Sequence, residues 1–117
     1  MRRQWTMNRL AAIGILLVAA IFEAGGDAMV RTALHQQASG RRWLTFLGGA
    51  AVLFGYGVIV NTPDWDFGRL LGLYVVFFFV IAQLMSWVFF HQPPSTSTVV
   101  GGTLIIAGGV VLGIANA

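Results

Sequence analysis

The stretch LLGLYVVFFFVIAQLMSWVFF, residues 70 to 90, contains no Asp, Glu, Lys or Arg and is rich in Leu, Val and Phe. Its length matches the roughly 20 apolar residues that a helix needs to cross the hydrocarbon core of a bilayer. In that core a backbone must satisfy its own hydrogen bonds, which an α-helix does within one segment. The stretch therefore predicts a transmembrane helix.

Three other apolar runs accompany this stretch, at residues 10–30, 43–60 and 99–115. The connections between the four runs are short and contain helix breakers, such as Gly40 in the first and Pro63 in the second. Connections of this kind join antiparallel neighbours. We expect an all-α integral membrane protein with four transmembrane helices in an antiparallel bundle, forming a single membrane domain over residues 1–117.

The composition is that of a chain embedded along most of its length. Of the 117 residues, 57% are hydrophobic and 9% are charged, and the mean hydropathy is +0.79. Four spans leave no room for a separate catalytic domain, and the lack of cysteine excludes disulfides and thiolate chemistry. Neither His35 nor His91 has a partner at ligand spacing, so we expect no metal site, no cofactor and no enzymatic activity.

The basic residues are seven arginines scattered among the apolar runs. A nucleic-acid site needs a basic cluster, so we expect lipid rather than nucleic acid as the partner. Four spans would place Arg2, Arg3, Arg9 and Arg69 on one side and Arg31, Arg41 and Arg42 on the other. This bias is weak under the positive-inside rule and leaves insertion in both orientations open. We expect a multi-pass protein of the cell's inner (plasma) membrane.

One acid lies deep in the first run, within AAIFEAGGDAMVR, residues 19 to 31. Glu23 would cost on the order of 3 kcal/mol in lipid, so it must face protein or water. Asp27 and Arg31 follow at i+4 and i+8 and share its stripe of the helix. Because desolvation disfavours a charged carboxyl group, such an acid can exchange a proton near neutral pH. We expect Glu23, with Asp27 nearby, to bind protons and substrate. Arg31 is better placed to neutralise Asp27 than Glu23, and the sequence leaves open whether Asp27 and Arg31 form a fixed pair.

Two polar side chains of the third run, Tyr74 and Gln83, are candidates for the same proton and substrate site. Either can reach a carboxyl group on a neighbouring helix, as can Tyr56 of the second run. The alternative is that Glu23 is a structural acid, satisfied by hydrogen bonds from these residues. An ionisable residue inside a membrane favours the functional interpretation.

Glycines form two groups in the sequence. Gly25 and Gly26 follow the deep acid and permit close approach of another helix or a ligand. In the fourth run, Gly101 and Gly108 are one heptad apart, as are Gly102 and Gly109, and Gly109 and Gly113 form a small-xxx-small pair. We expect this helix to pack tightly, either within one chain or in a homodimer.

From about Leu17 to the end, the sequence resembles the small multidrug resistance transporters and their YnfA-like relatives, within the drug/metabolite transporter group. The resemblance rests on EAGG at residues 23–26, SWVFFHQ at 86–92 and GGTLIIAGGVVL at 101–112. Gly68 and Arg69, followed by Tyr74, Ala82, Leu84 and Trp87, are similar to the third helix of the YnfA-like branch.

The resemblance implies a four-helix protomer that works as an antiparallel homodimer of dual topology. Paired first-helix glutamates would bind protons and a hydrophobic cation in competition, giving antiport by alternating access. By position, Glu23 takes the coupling role and Tyr74 the place of a binding-site aromatic residue. Gly101 and Gly108 fall on the dimerising helix.

Three departures from the family pattern keep a second function open. The third helix has bulky residues at 75–78 where glycines usually permit bending, Asp27 stands at a normally uncharged position, and Leu71 replaces an aromatic residue. We therefore weigh two functions: a proton-coupled exporter of small cationic or lipophilic compounds, and a non-transporting membrane subunit that packs or assembles a larger membrane complex.

Overall fold

The structure, a computed structural model, describes residues 9–37 and 39–114. Within these residues the chain forms α1 (Arg9–Leu34), α2 (Gly40–Val60), α3 (Phe67–Phe90) and α4 (Thr96–Ile114), and no strand. Each of these helices is long and apolar enough to cross a membrane. The expected all-α fold of four membrane helices is confirmed. Arg2, Arg3 and Ala115 lie outside the described residues.

The helices extend beyond the apolar runs from which the spans were predicted. α1 continues past Val30 to Leu34, and α3 begins at Phe67 rather than at Leu70. Continuing the helix supplies backbone hydrogen bonds while the chain leaves the hydrocarbon region. Hydropathy therefore identifies the membrane-embedded part of each helix and underestimates its ends.

Local sequence sets where the helices begin and end. The hydroxyl of Ser39 accepts a hydrogen bond from the backbone N–H of Arg42 (3.4 Å), and that of Ser95 accepts one from the backbone N–H of Thr98 (3.2 Å). These are N-caps for α2 and α4. At the end of α3, His91 adopts a left-handed conformation (φ 56°) that terminates the helix.

α1 is the central helix of the bundle. It packs against both α2 and α3, whereas α4 packs against α3. Small side chains on α1, including Ala19 and Ala20, are fully buried and allow the neighbouring helices to approach. The buried core consists of Leu16, Ala19, Ala20, Val60, Leu70 and Tyr74.

Two glycines bring the backbones of α1 and α2 into contact. A Cβ atom placed on Gly26 would lie 2.7 Å from Cγ of Leu53 and 3.2 Å from the carbonyl oxygen of Gly49. A Cβ atom on Gly49 would in turn lie 3.2 Å from the carbonyl oxygen of Gly26. A Cβ atom at either position would displace a side chain of the facing helix and press against its backbone, so the close crossing of α1 and α2 favours glycine at both positions.

Large apolar side chains also point outward from the bundle. Phe54 on α2 is 75% exposed and Leu44 is 70% exposed, and on α3 Phe89 is 66% exposed. In water, so much exposed apolar surface would favour aggregation. In a bilayer these side chains face lipid, as the fold class requires.

We predict that Gly26→Ala destabilises the protein while Gly14→Ala does not. A Cβ atom on Gly14 meets nothing within 4 Å, so this change only improves the helix propensity of α1. Overpacking at Gly26 should cost about 1 to 3 kcal/mol. Reversible unfolding of both variants in mixed micelles measures the difference. Equal stabilities would show that the α1 and α2 backbones are not in contact.

Candidate functional site

The deep acid of the first run lies near the middle of α1. Glu23 is about 21 Å from the start of the helix at Arg9 and about 17 Å from its end at Leu34, given a rise of about 1.5 Å per residue. Its side chain is partly buried. The carboxyl group therefore lies in the hydrocarbon region and needs a partner from the protein.

That partner is Tyr74 on α3. Its hydroxyl donates a hydrogen bond to Oε1 of Glu23 over 2.6 Å, a distance typical of a bond to a carboxylate. Tyr74 is only 4% exposed, and its ring lies 5.6 Å from the ring of Tyr56 and 6.3 Å from that of Phe78. Packing thus fixes the phenol, and the hydrogen bond joins α1 to α3 at mid-membrane.

A cavity of about 430 Å³ lies between the C-terminal halves of α1 and α3. Asp27, Arg31 and His35 line its α1 side, and Phe78 and Phe90 are among the residues on its α3 side. Ala24, which follows Glu23 in the sequence, also lines the cavity, as does Phe78, which lies one turn after Tyr74. Glu23 and Tyr74 do not themselves line the cavity, which starts at these neighbours of their hydrogen bond and extends toward the ends of both helices.

Arg31, which shares one side of α1 with Glu23 and Asp27, has an aromatic ring as its neighbour. The guanidinium group of Arg31 lies over the ring of Phe90, 5.3 Å from its centre. In the described part of the chain Arg31 forms no ion pair with Asp27. Asp27 is an exposed residue on the cavity wall. Asp27 and Arg31, whose pairing the sequence left open, are therefore not a fixed ion pair in these residues, and Arg31 contacts the Phe90 ring instead.

Gln83, which we expected to join the site, does not lie beside Glu23. At about 100° per residue it is on the opposite side of α3 from Tyr74. It follows Val76 by one heptad, and Val76 packs against Gly109 of α4. Gln83 is therefore on the face of α3 that is directed toward α4, whereas Tyr74 is on the face directed toward α1.

The glycines of α4 divide between two faces. Gly102 and Gly109 are buried against Phe79 and Val76 of α3, and Gly113 lies near Leu73. A Cβ atom on Gly101 or on Gly108 would meet nothing within 4 Å. Gly102, Gly109 and Gly113 make the contact within the chain, and no described residue packs against the face that carries Gly101 and Gly108.

Several residues of the cavity were not predicted from the sequence. His35 follows Arg31 at i+4, so continuing the stripe from Glu23 by one more turn would have found it. Phe78 follows Tyr74 by the same spacing. Phe90 had no signal of its own, because its role depends on how α3 packs beside α1. Among the described residues, no group of three or more His, Cys, Asp or Glu side chains could hold a metal ion.

We predict that Tyr74→Phe lowers the free energy of unfolding by about 1 to 3 kcal/mol, because it leaves the Glu23 carboxyl group without its donor. Tyr56→Phe is the matched control, since it removes a hydroxyl from the neighbouring ring and leaves that bond intact. In the Glu23→Gln background the effect of Tyr74→Phe should shrink, and a double-mutant cycle measures this coupling. Additive effects would contradict the bond.

The comparisons with known proteins place the chain among membrane proteins. It is 32% identical to the UPF0060 membrane protein of Streptomyces coelicolor over 85% of this chain and 87% of that protein. It is 31% identical to the UPF0060 membrane protein of Staphylococcus haemolyticus over 88% of this chain and 94% of the relative. With the one from Herpetosiphon aurantiacus it shares 29% identity over 91% of this chain and 96% of the relative.

No protein-family model matches the chain. No solved structure matches it either. The relatives confirm the YnfA-like part of the resemblance, while the small multidrug resistance part stays a prediction. Since the chain matches UPF0060 membrane proteins over most of their length and its own, it belongs to the UPF0060 family of multi-pass membrane proteins.

Proposed function

We propose that the protein is a proton-coupled transporter of the inner (plasma) membrane, which exports small cationic or lipophilic compounds by antiport and catalyses no chemical reaction. The observation that carries the proposal is the hydrogen bond between Tyr74 and Glu23 at mid-membrane, beside a cavity of about 430 Å³. A cavity of this size suits a small molecule. An acid next to it can exchange a proton for a cation.

Tyr74 can form a hydrogen bond with Glu23 in both states of such a cycle, with the carboxyl group protonated or ionised. A phenol hydroxyl can donate a hydrogen bond to a carboxylate and can accept one from a protonated carboxyl group. Tyr74, held in place by its ring contacts, can therefore satisfy Glu23 with and without its proton. Cation and proton then compete for one carboxyl group, which is the basis of antiport.

We also propose that the working form is a homodimer, with the antiparallel arrangement implied by the family resemblance. The support is the open face of α4, where a Cβ atom on Gly101 or Gly108 would meet no atom of residues 9–37 and 39–114 within 4 Å. Small residues permit close helix contact in membranes. Two fourth helices could therefore pack through this face while Gly102 and Gly109 keep each α4 on its own α3.

One observation favours the second function, a non-transporting subunit of a larger membrane complex. Val76, in the bulky segment 75–78 of α3, packs directly against Gly109. Bending α3 at this segment would disrupt that contact. A protein locked in this way would keep the Glu23 and Tyr74 bond as a structural link and would release no proton.

Proton release distinguishes the two functions. The purified full-length protein, in weakly buffered detergent solution with a pH-sensitive dye, should acidify the solution when tetraphenylphosphonium is added. Glu23→Gln should abolish the release because the exchangeable proton is gone. Asp66→Asn, which removes an acid in the loop before α3, should release protons as the wild type does. Equal affinity in wild type and Glu23→Gln, with no proton from either, would contradict coupling through Glu23.

Leucine substitution on the two faces of α4 tests the dimer. Gly108→Leu meets open space in the protomer, so it should leave protomer unfolding unchanged and weaken the dimer at least tenfold. Gly109→Leu clashes with Val76 and should destabilise the protomer itself. Dimer fractions from dilution in lipid, followed by single-molecule photobleaching, measure the first effect. An unchanged dimer in Gly108→Leu would exclude this face as the interface.

A further inference from the structure

The cavity beside Glu23 carries charges of both signs on one wall. Asp27 and Arg31 are one turn apart on α1 and both line it, with His35 one turn further on. Four residues of helix correspond to about 6 Å along the axis. The wall therefore presents an anionic group nearer the middle of the membrane and cationic or hydrogen-bonding groups nearer the end of α1.

Neither charge is neutralised by the other. Arg31 is held over the Phe90 ring, at 5.3 Å from its centre, and the two side chains form no ion pair in the described residues. Asp27 lies one turn from Glu23 and Arg31 lies in the last turn of α1, so a ligand that bridges them would reach from the membrane interior toward its surface. Each charge favours a ligand group of opposite sign. The remaining lining is largely apolar and includes Phe78, Ala82 and Met85.

Away from Glu23, a simple cation matches the part of the wall formed by Asp27 and Arg31 poorly. A positive group would be attracted by Asp27 and repelled by Arg31 at a similar range, so the two interactions largely cancel. A simple anion would be attracted by Arg31 and repelled by Asp27, so it also gains little. A molecule with both charges satisfies both side chains, and an apolar body fits the aromatic side of the cavity.

Building on the proposed transport function, we propose that the cavity binds a zwitterion with an apolar body, with its ammonium group at Asp27 and its anionic group at Arg31. Two sources supply this chemistry: a free amphiphilic amino acid, and the headgroup of a zwitterionic phospholipid such as phosphatidylethanolamine. Both place an amine and an acid group within a few bonds of each other. In transport, the ammonium end would lie on the side of the site that leads to Glu23.

Three probes with the same aromatic body test the charge requirement. Phenylalanine carries both charges, phenethylamine carries only the positive one and 3-phenylpropionate only the negative one. We measure their binding to the full-length protein in phosphatidylglycerol nanodiscs by calorimetry. Phenylalanine should bind at least tenfold more tightly than either of the others. Binding of phenethylamine as tight as that of phenylalanine would overturn the inference.

Charge-removing variants assign each end of the ligand. Asp27→Asn should reduce the affinity for phenylalanine to that for 3-phenylpropionate, and Arg31→Gln should reduce it to that for phenethylamine. Asp66→Asn and Arg41→Gln remove the same charges outside the cavity and should change neither affinity. If Arg31→Gln binds phenylalanine as the wild type does, the site does not recognise the anionic end.

Adding phosphatidylethanolamine to the nanodiscs distinguishes a lipid headgroup from a free amino acid as the zwitterion that occupies the cavity. If the headgroup occupies the cavity, the apparent affinity for phenylalanine should fall at least threefold, and the fall should vanish in Asp27→Asn. If the affinity is unchanged, the free molecule is the ligand.

The proposed function and this inference fail in different ways. Preference for the zwitterion without proton release from any probe would contradict transport coupling and leave the site assignment intact. Proton release through Glu23 with no preference for the zwitterion would contradict the site assignment and leave transport coupling intact.

Discussion

A carboxyl group at the middle of a membrane helix must find a hydrogen-bond donor within the protein, because hydrocarbon offers none. In this chain the donor is Tyr74, whose hydroxyl lies 2.6 Å from Oε1 of Glu23. That bond joins the middle of α3 to the middle of α1. The cavity lies between the same two helices and begins one turn further on. The proposal of proton-coupled transport depends on this contact.

Small residues make this arrangement possible. Buried alanines on α1 let α3 approach closely enough for the hydrogen bond, and Gly26 with Gly49 does the same for α2. On α4 the buried glycines are those that face α3, so the helix is held at the edge of the bundle. Van der Waals packing, rather than hydrophobic burial, holds such helices together in lipid. The glycine positions therefore determine which helices touch.

The sequence was sufficient for the fold because each span is signalled by its own apolar run and each connection by its own breakers. It was also sufficient to identify Glu23, since an isolated acid in an apolar run is conspicuous whatever surrounds it. The sequence named Tyr74 and Gln83 as site residues and Tyr56 as a further possible donor to Glu23. The packing of α3 then placed Tyr74 toward α1 and Gln83 toward α4. Similarly, the pairs 101/108 and 102/109 have the same heptad spacing in the sequence. Only the contacts with Val76 and Phe79 show that the second pair faces α3. Pairing across helices depends on rotation, which no single helix encodes.

Transport by antiport requires that Glu23 releases its proton to water when a cation binds, while its carboxylate remains hydrogen-bonded to Tyr74. Infrared difference spectroscopy of the protein in lipid measures this directly through the carbonyl stretch of the protonated carboxyl group. We predict that tetraphenylphosphonium, added at mildly acidic pH, removes a carboxyl band that is absent in Glu23→Gln and shifted in Tyr74→Phe. A band that persists unchanged when the cation binds, or one that remains in Glu23→Gln, would contradict the account.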